Sequence, residues 1–159
     1  MLRLAALADP LAPIAFLDTL EDALGRPEEF WEARTVAAAT GTSGQFVAEG
    51  QAGDWLGSLT VLVLDAGTDD YWGHPVLGRR AHVIGVYVRP VARGAVIIDA
   101  LFDAGKDFAR GQGFEELHLE VHRSNNRARG AYLRAGFVAT GAVIESESGL
   151  DDVMVASLG

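Results

Sequence analysis

Apolar residues change period several times along this chain, and each change predicts an element. Ile14, Leu17, Leu20, Ala23 and Leu24 recur at helical spacing, so residues 3–39 read as helical, with Gly25 as a stop. Pro27-Glu28-Glu29 reopens a helix, because proline's fixed φ suits a first turn and the acids meet its positive dipole end. Thr40–Gly44 reads as loop. Gln45–Glu49 and Trp55–Leu64 read as strands joined by Gly50-Gln51-Ala52-Gly53, which predicts a hairpin. Asp65–Arg80 is a loop long enough to be functional.

Ala81–Val88 is a nearly continuous apolar run, the pattern of a strand buried on both faces, and Pro90 ends it. Ala95–Arg110 returns to helical period, with Ile97, Leu101 and Phe108 opposite Asp99, Asp103, Lys106, Asp107 and Arg110; Gly111 and Gly113 stop it. Glu116–His122 alternates, with Leu117, Leu119 and Val121 on one face and His118, Glu120 and His122 on the other. Asn125–Ala135 reads as a helix stopped by Gly136. Phe137–Glu145 and Asp152–Ser157 read as strands around the turn Ser146-Glu147-Ser148-Gly149. The order is helices, hairpin, then β-α-β-α-β-β. The unit from Ala81 to His122 is expected to be a right-handed parallel crossover, within a mixed α/β sheet with helices on both faces. With no repeat or linker, residues 1–159 read as a single domain.

Composition narrows the function. The chain is 49% hydrophobic and 22% charged, with a net charge of −9, a balance that suits a globular domain with a real core. The charge is uneven. Residues 79–135 hold nine Arg and Lys106 against six acids, net +4, while residues 1–78 are net −9 and residues 136–159 net −4. One basic segment in an acidic chain suits an anionic ligand; no domain-wide basic face suggests nucleic acid. No apolar run approaches a membrane span, and Asp9 and Pro10 cut short the faintly signal-like Met1–Ala8, so a cytoplasmic protein with no membrane partner is expected. The absence of cysteine excludes disulfides, thiolate metal sites and a cysteine nucleophile.

The chemistry gathers at two places in the basic segment. In Val86-Tyr87-Val88-Arg89-Pro90-Val91-Ala92-Arg93-Gly94-Ala95 a strand turns into a helix, and the free N–H groups of such a turn attract anions. In Asn125-Asn126-Arg127-Ala128-Arg129-Gly130-Ala131-Tyr132-Leu133-Arg134-Ala135-Gly136-Phe137, Asn125 can cap a helix that carries Tyr132 two turns later. Each alone also reads as ordinary packing. Together they resemble the GCN5-related N-acetyltransferase (GNAT) family. There, V-x-V-x-P-x-x-R-G-x-G-x-G/A is followed about thirty residues on by N-x-x-A-x-x-L-Y-x-x-x-G-F. Here Val86 to Ile98 carries the first, and Asn125, Ala128, Tyr132, Gly136 and Phe137 carry the second, with Ala131 for the usual leucine. The resemblance spans residues 45–157.

It implies transfer of an acetyl group from acetyl-CoA, as co-substrate and without metal, to a primary amine by direct attack. Backbone groups of Val86, Tyr87 and Val88 would pair with the pantetheine arm. Amides of Arg93, Gly94, Ala95, Val96, Ile97 and Ile98 would hold the pyrophosphate, with Arg93 adding charge. Asn125 would contact the coenzyme and Tyr132 would serve as acid to the leaving sulfur. Two departures matter. Val96 and Ile98 stand where the family usually has small residues, so crowding and weaker coenzyme binding are expected. The family's first strand is expected to be missing, leaving an open sheet edge.

The base is open among the polar residues of the alternating strand: Glu120 first, His122 second. His118-Glu120-His122 as a metal site is set aside, because alternate strand residues lie about 6.5–7 Å apart. His74 and His82 have no sequence partner and receive no role. Acids ahead of the basic segment (Asp18, Glu21, Asp22, Glu28, Glu29, Asp69 and Asp70) are expected to favour a small cationic amine as acceptor. Dimers are common in the family, and a homodimer is one expectation here. The competing readings are a binding or regulatory module on the same fold, favoured by Val96 and Ile98, and a partner-binding subunit using the open edge.

Overall fold

The computed structural model describes residues 2–39 and 43–159. Thr40, Gly41 and Thr42, at the start of the expected loop, lie outside them. The chain opens with α1 (Leu2–Leu7), a 3-10 turn (Ala12–Ile14), α2 (Leu20–Gly25) and α3 (Glu28–Ala39). Thr19 caps α2 by accepting the Asp22 N–H at 3.1 Å. The sheet strands are β1 (Ser43–Glu49), β2 (Trp55–Leu64), β3 (Arg80–Val88), β4 (Glu116–His122), β5 (Val138–Ser146) and β6 (Gly149–Ser157). Two more helices, α4 (Ala95–Gly111) and α5 (Asn126–Arg134), follow β3 and β4.

Six strands form one mixed sheet in the order β1-β2-β3-β4-β6-β5. Among the described residues helices alone precede β1, which pairs only with β2 and forms one edge. Among the described residues the one parallel pair, β3 with β4, is registered only at Ala81–Leu117 and His82–His118. Beyond those residues the strands part. A bulge helps to part them: Ser58 faces Tyr87 and Thr60 faces Ile84, so Leu59 stands opposite both Gly85 and Val86. Gly85 takes φ +63°, a left-handed conformation that a β-branched strand residue would resist.

Alternation along the strands sorts the two faces. Leu59, Val61, Ala81, Val83, Leu117 and Leu119 are buried under α4, which contributes Ile98, Leu101, Phe102 and Ala109. The helix thus buries positions at 3–4-residue spacing, the stripe its amphipathic pattern predicts. Phe102 meets Tyr132 edge-on at 5.5 Å and Phe137 at 5.4 Å, which joins α4 to α5 and to the chain leading into β5. Tyr87 points the other way and packs with Leu2 and Ala6, so α1 lies on the opposite face from α4.

Candidate active site

A cleft of about 940 Å³ runs along the parted strands. Its walls include Val83–Val88 of β3 and Leu119–His122 of β4, whose edges facing each other have lost their ladder partners. On one face stand the start of α4 and Tyr132 of α5. On the other stand the 3-10 turn, Asp18, and Tyr71 with Trp72 from the long loop.

The start of α4 is built for close approach. Gly94 has φ +155° and ψ 177°, a region essentially reserved for glycine, and no side chain caps the helix. The first-turn amides that follow are therefore free to meet an anion. The two β-branched residues do not share one fate. Val96 projects outward, 83% exposed, while Ile98 is buried in the core beside the cleft. Arg93 is already engaged: its Nε donates to the Val88 carbonyl at 3.1 Å, and its Nη2 pairs with Asp9. Arg127 and Arg134 also line this part, and among the described residues neither has a carboxylate within ion-pair distance.

Asn125 caps α5 by accepting the Ala128 N–H at 3.2 Å, as its place in the motif predicts. Tyr132 is 8% exposed, and burial raises its phenol to about 12 against a small opposing pull from Arg127, so it stays protonated.

Glu120 points to the face away from α4, between Leu119 and Val121 of the core. Its Oε2 lies 2.7 Å from His82 Nε2, and the Tyr71 hydroxyl donates to the same oxygen. The Tyr71 hydroxyl is also 3.1 Å from His82 Nε2, which closes a three-membered cluster. Burial pushes Glu120 up to about 8, and the nearby charges of Asp70 and Asp151 push in the same direction. Burial pushes His82 down to about 3, helped by Arg80 and His118, so the imidazole is neutral. His82, which the sequence leaves without a role, is thus a buried partner of Glu120. Its pairing is invisible locally because 38 residues and a parallel strand register bring the two together.

His122 is placed differently from Glu120. Its Nδ1 accepts the Ser124 N–H at 3.2 Å and lies 2.7 Å from Ser124 Oγ; its Nε2 lies 2.8 Å from the Ser148 carbonyl. A backbone N–H can only donate, so Nδ1 is the acceptor and Nε2 carries the hydrogen given to Ser148. Both nitrogens are spent on the β4–α5 and β5–β6 turns. His118 lies 3.5 Å from Glu116 and lines no part of the cleft. Asp151, which the sequence does not single out, is buried, lines the cleft and leaves Oδ2 without a partner among the described residues.

The acids expected to receive a cation are mostly elsewhere. Glu21, Asp22, Glu28, Glu29 and Asp69 are exposed and line no part of the cleft. Asp70 pairs with Arg80 at 3.0 Å and accepts the Trp72 and His74 N–H groups; those bonds outweigh burial and hold its carboxyl below the usual range. Asp18 lines the cleft but is bound to Arg26 at 2.6 Å and Arg3 at 3.5 Å. Among the described residues no group of three or more His, Asp or Glu is arranged to hold a metal ion, and no helix is long and apolar enough to cross a membrane.

The cleft thus runs through the sheet where the parallel pair splays beside an uncapped helix start. The sequence model of the Acetyltransferase (GNAT) family matches residues 11–137, and the chain belongs to that family. A crystal structure of nourseothricin acetyltransferase is 30% identical with a TM-score of 0.60, over 74% of this chain and 66% of that one. Chaetomium thermophilum Naa20, solved with a bisubstrate analogue, is 22% identical with a TM-score of 0.70, over 99% of this chain and 81% of that one. A chimeric spermidine N-acetyltransferase from Vibrio cholerae is 18% identical with a TM-score of 0.60, over 82% and 76%. The last two show the fold alone. No protein of curated function matches the chain.

Proposed function

We propose that this chain transfers an acetyl group from acetyl-CoA to a primary amine by direct attack, with Glu120 as the base. The observation that carries the reading is Glu120 itself: a buried carboxyl on the cleft wall, anchored through Oε2 by His82 and Tyr71. Its Oε1 has no partner among the described residues and is the oxygen that takes the ammonium proton. A carboxyl near 8 matches an amine better than an ordinary carboxylate does, because proton transfer is most effective between groups of similar pKa. Tyr71 and His82 are positioning residues that fix the carboxyl through Oε2.

The free amides of the first α4 turn (Gly94, Ala95, Val96, Ile97 and Ile98) would hold the coenzyme pyrophosphate, with Arg127 and Arg134 adding charge. The unpaired edge of Val86, Tyr87 and Val88 would align the pantetheine arm beside Asn125. Glu120 takes one proton from the ammonium and releases it to solvent; the neutral amine nitrogen then bonds to the carbonyl carbon as the carbon–sulfur bond breaks, and the nitrogen's second proton passes to the re-ionised Glu120. Tyr132 donates a hydrogen bond to the leaving sulfur. Complete transfer from a phenol near 12 to a thiolate whose thiol is ordinarily about 8.5 runs uphill, so Tyr132 stabilises the thiolate more than it protonates it.

Calorimetry with acetyl-CoA and with desulfo-CoA, followed by thiol release on a panel of amines, tests this. Micromolar binding of both ligands with thiol release only from acetyl-CoA is expected. No binding at millimolar concentrations removes the reading.

A further inference from the structure

The wall of the cleft built by the first three helices is positively charged. Arg3, Arg26 and Arg34 all line it, and Asp18 is the only carboxylate among the described residues within ion-pair distance of any of them. Asp18 spends one oxygen on Arg26 at 2.6 Å and leaves a loose 3.5 Å contact for Arg3. Arg34 has no carboxylate partner among the described residues. Two positive charges are left over.

Aromatic rings hold the guanidinium groups in place. Arg3 lies over Phe16 at 4.7 Å, and Arg26 and Arg34 share Phe30 at 4.3 and 5.8 Å. Stacking occupies the planes of the guanidiniums and leaves their N–H edges available, which is how arginine presents a fork to a carboxylate. The crowding is felt electrostatically: burial lowers the Arg3 pKa, and Arg34 and Arg26 lower it further against the pull of Asp18. The cluster also has a definite position. It belongs to the helices on the same sheet face as Glu120, opposite α4.

We propose that the acceptor is an amino carboxylate, its amine at Glu120 and its carboxylate received by Arg34, Arg3 and Arg26. This rests on the acetyl-transfer reading for the amine end and departs from the cationic acceptor that the sequence suggests.

The test uses amino carboxylates from glycine to 6-aminohexanoate, each paired with its carboxamide. Calorimetry without acetyl-CoA reads the arginine cluster alone; thiol release with acetyl-CoA reads the reaction. At least one carboxylate should bind tenfold or more tightly than its carboxamide and show a matching preference in kcat/KM. Arg34→Gln, at an exposed position, and Arg3→Gln should narrow the binding gap below about threefold. Equal or tighter binding of the carboxamides across the panel, or a gap unchanged in both variants, overturns the proposal. Carboxylate-selective binding without turnover supports the arginine cluster and counts against the acetyl-transfer reading, so the two failures are distinguishable.

Discussion

His82 and Glu120, 38 residues apart on neighbouring parallel strands, meet at 2.7 Å, Nε2 to Oε2. Because burial keeps the imidazole neutral, this is a hydrogen bond between two proton-sharing groups and not a charged pair. Glu120→Gln should lower kcat by about 10²–10⁴-fold, the range of a lost general base, while acetyl-CoA affinity moves little. His82→Asn should give a smaller loss and shift the pH profile of kcat, since it disturbs the carboxyl's position without removing it. A Glu120→Gln enzyme at full speed would end this assignment.

The raised Glu120 carboxyl predicts two opposite pH effects. Activity needs the ionised form, so kcat/KM should rise with pH and level off above about 8. Stability should run the other way. Above the ordinary 4.5 the unfolded chain has released this proton while the folded chain keeps it, so the native state loses stability until pH passes about 8. His82, with an ordinary value of 6.5 and a folded value of about 3, opposes this slope only below about 6.5. Denaturant melts at pH 6.5 and 8 should show the loss in the native chain and not in Glu120→Gln.

Tyr132→Phe removes a hydroxyl and little volume. The expected result is a fall in kcat of about tenfold or more, with acetyl-CoA affinity within about twofold by calorimetry. An unchanged rate would leave Tyr132 as the packing partner of Phe102.

Val96 is exposed at the start of α4, so Val96→Gly should not tighten acetyl-CoA binding. It should instead cost about 0.5–1 kcal/mol of stability, the entropy penalty of glycine in a helix. Tighter binding would show that the valine does crowd the pyrophosphate.

Phe102 is 1% exposed between Tyr132 and Phe137. Phe102→Ala should lower unfolding free energy by about 3–5 kcal/mol and slow catalysis by freeing Tyr132.

The sheet was legible because strand alternation and turn chemistry are local. Glu116–His122 and the crossover helix fall where period and glycines put them, and Asn125 caps the helix its spacing marks. The placement of the candidate site was legible where one segment carries it: the strand-to-helix turn at Gly94 and Tyr132 on α5 both line the cleft. What could not be read are pairings between distant segments. Arg93 meets Asp9 across 84 residues, so a side chain marked for phosphate is partly spent inside the protein. Arg3, Arg26 and Arg34 belong to separate stretches of the helical region, and only folding gathers them. Net charge by segment does not show placement: most acids of the first half face solvent, while Arg3, Arg26 and Arg34 line the cleft.

The parting of β3 from β4 has a kinetic meaning for the proposed reaction. A slot that opens on both faces of the sheet gives each substrate its own doorway, α4 and α5 guarding one and the first three helices the other. Neither product has to depart before the second reactant arrives. Initial-rate plots for the two substrates should therefore intersect, as in a ternary-complex mechanism, and not run parallel as in a ping-pong exchange.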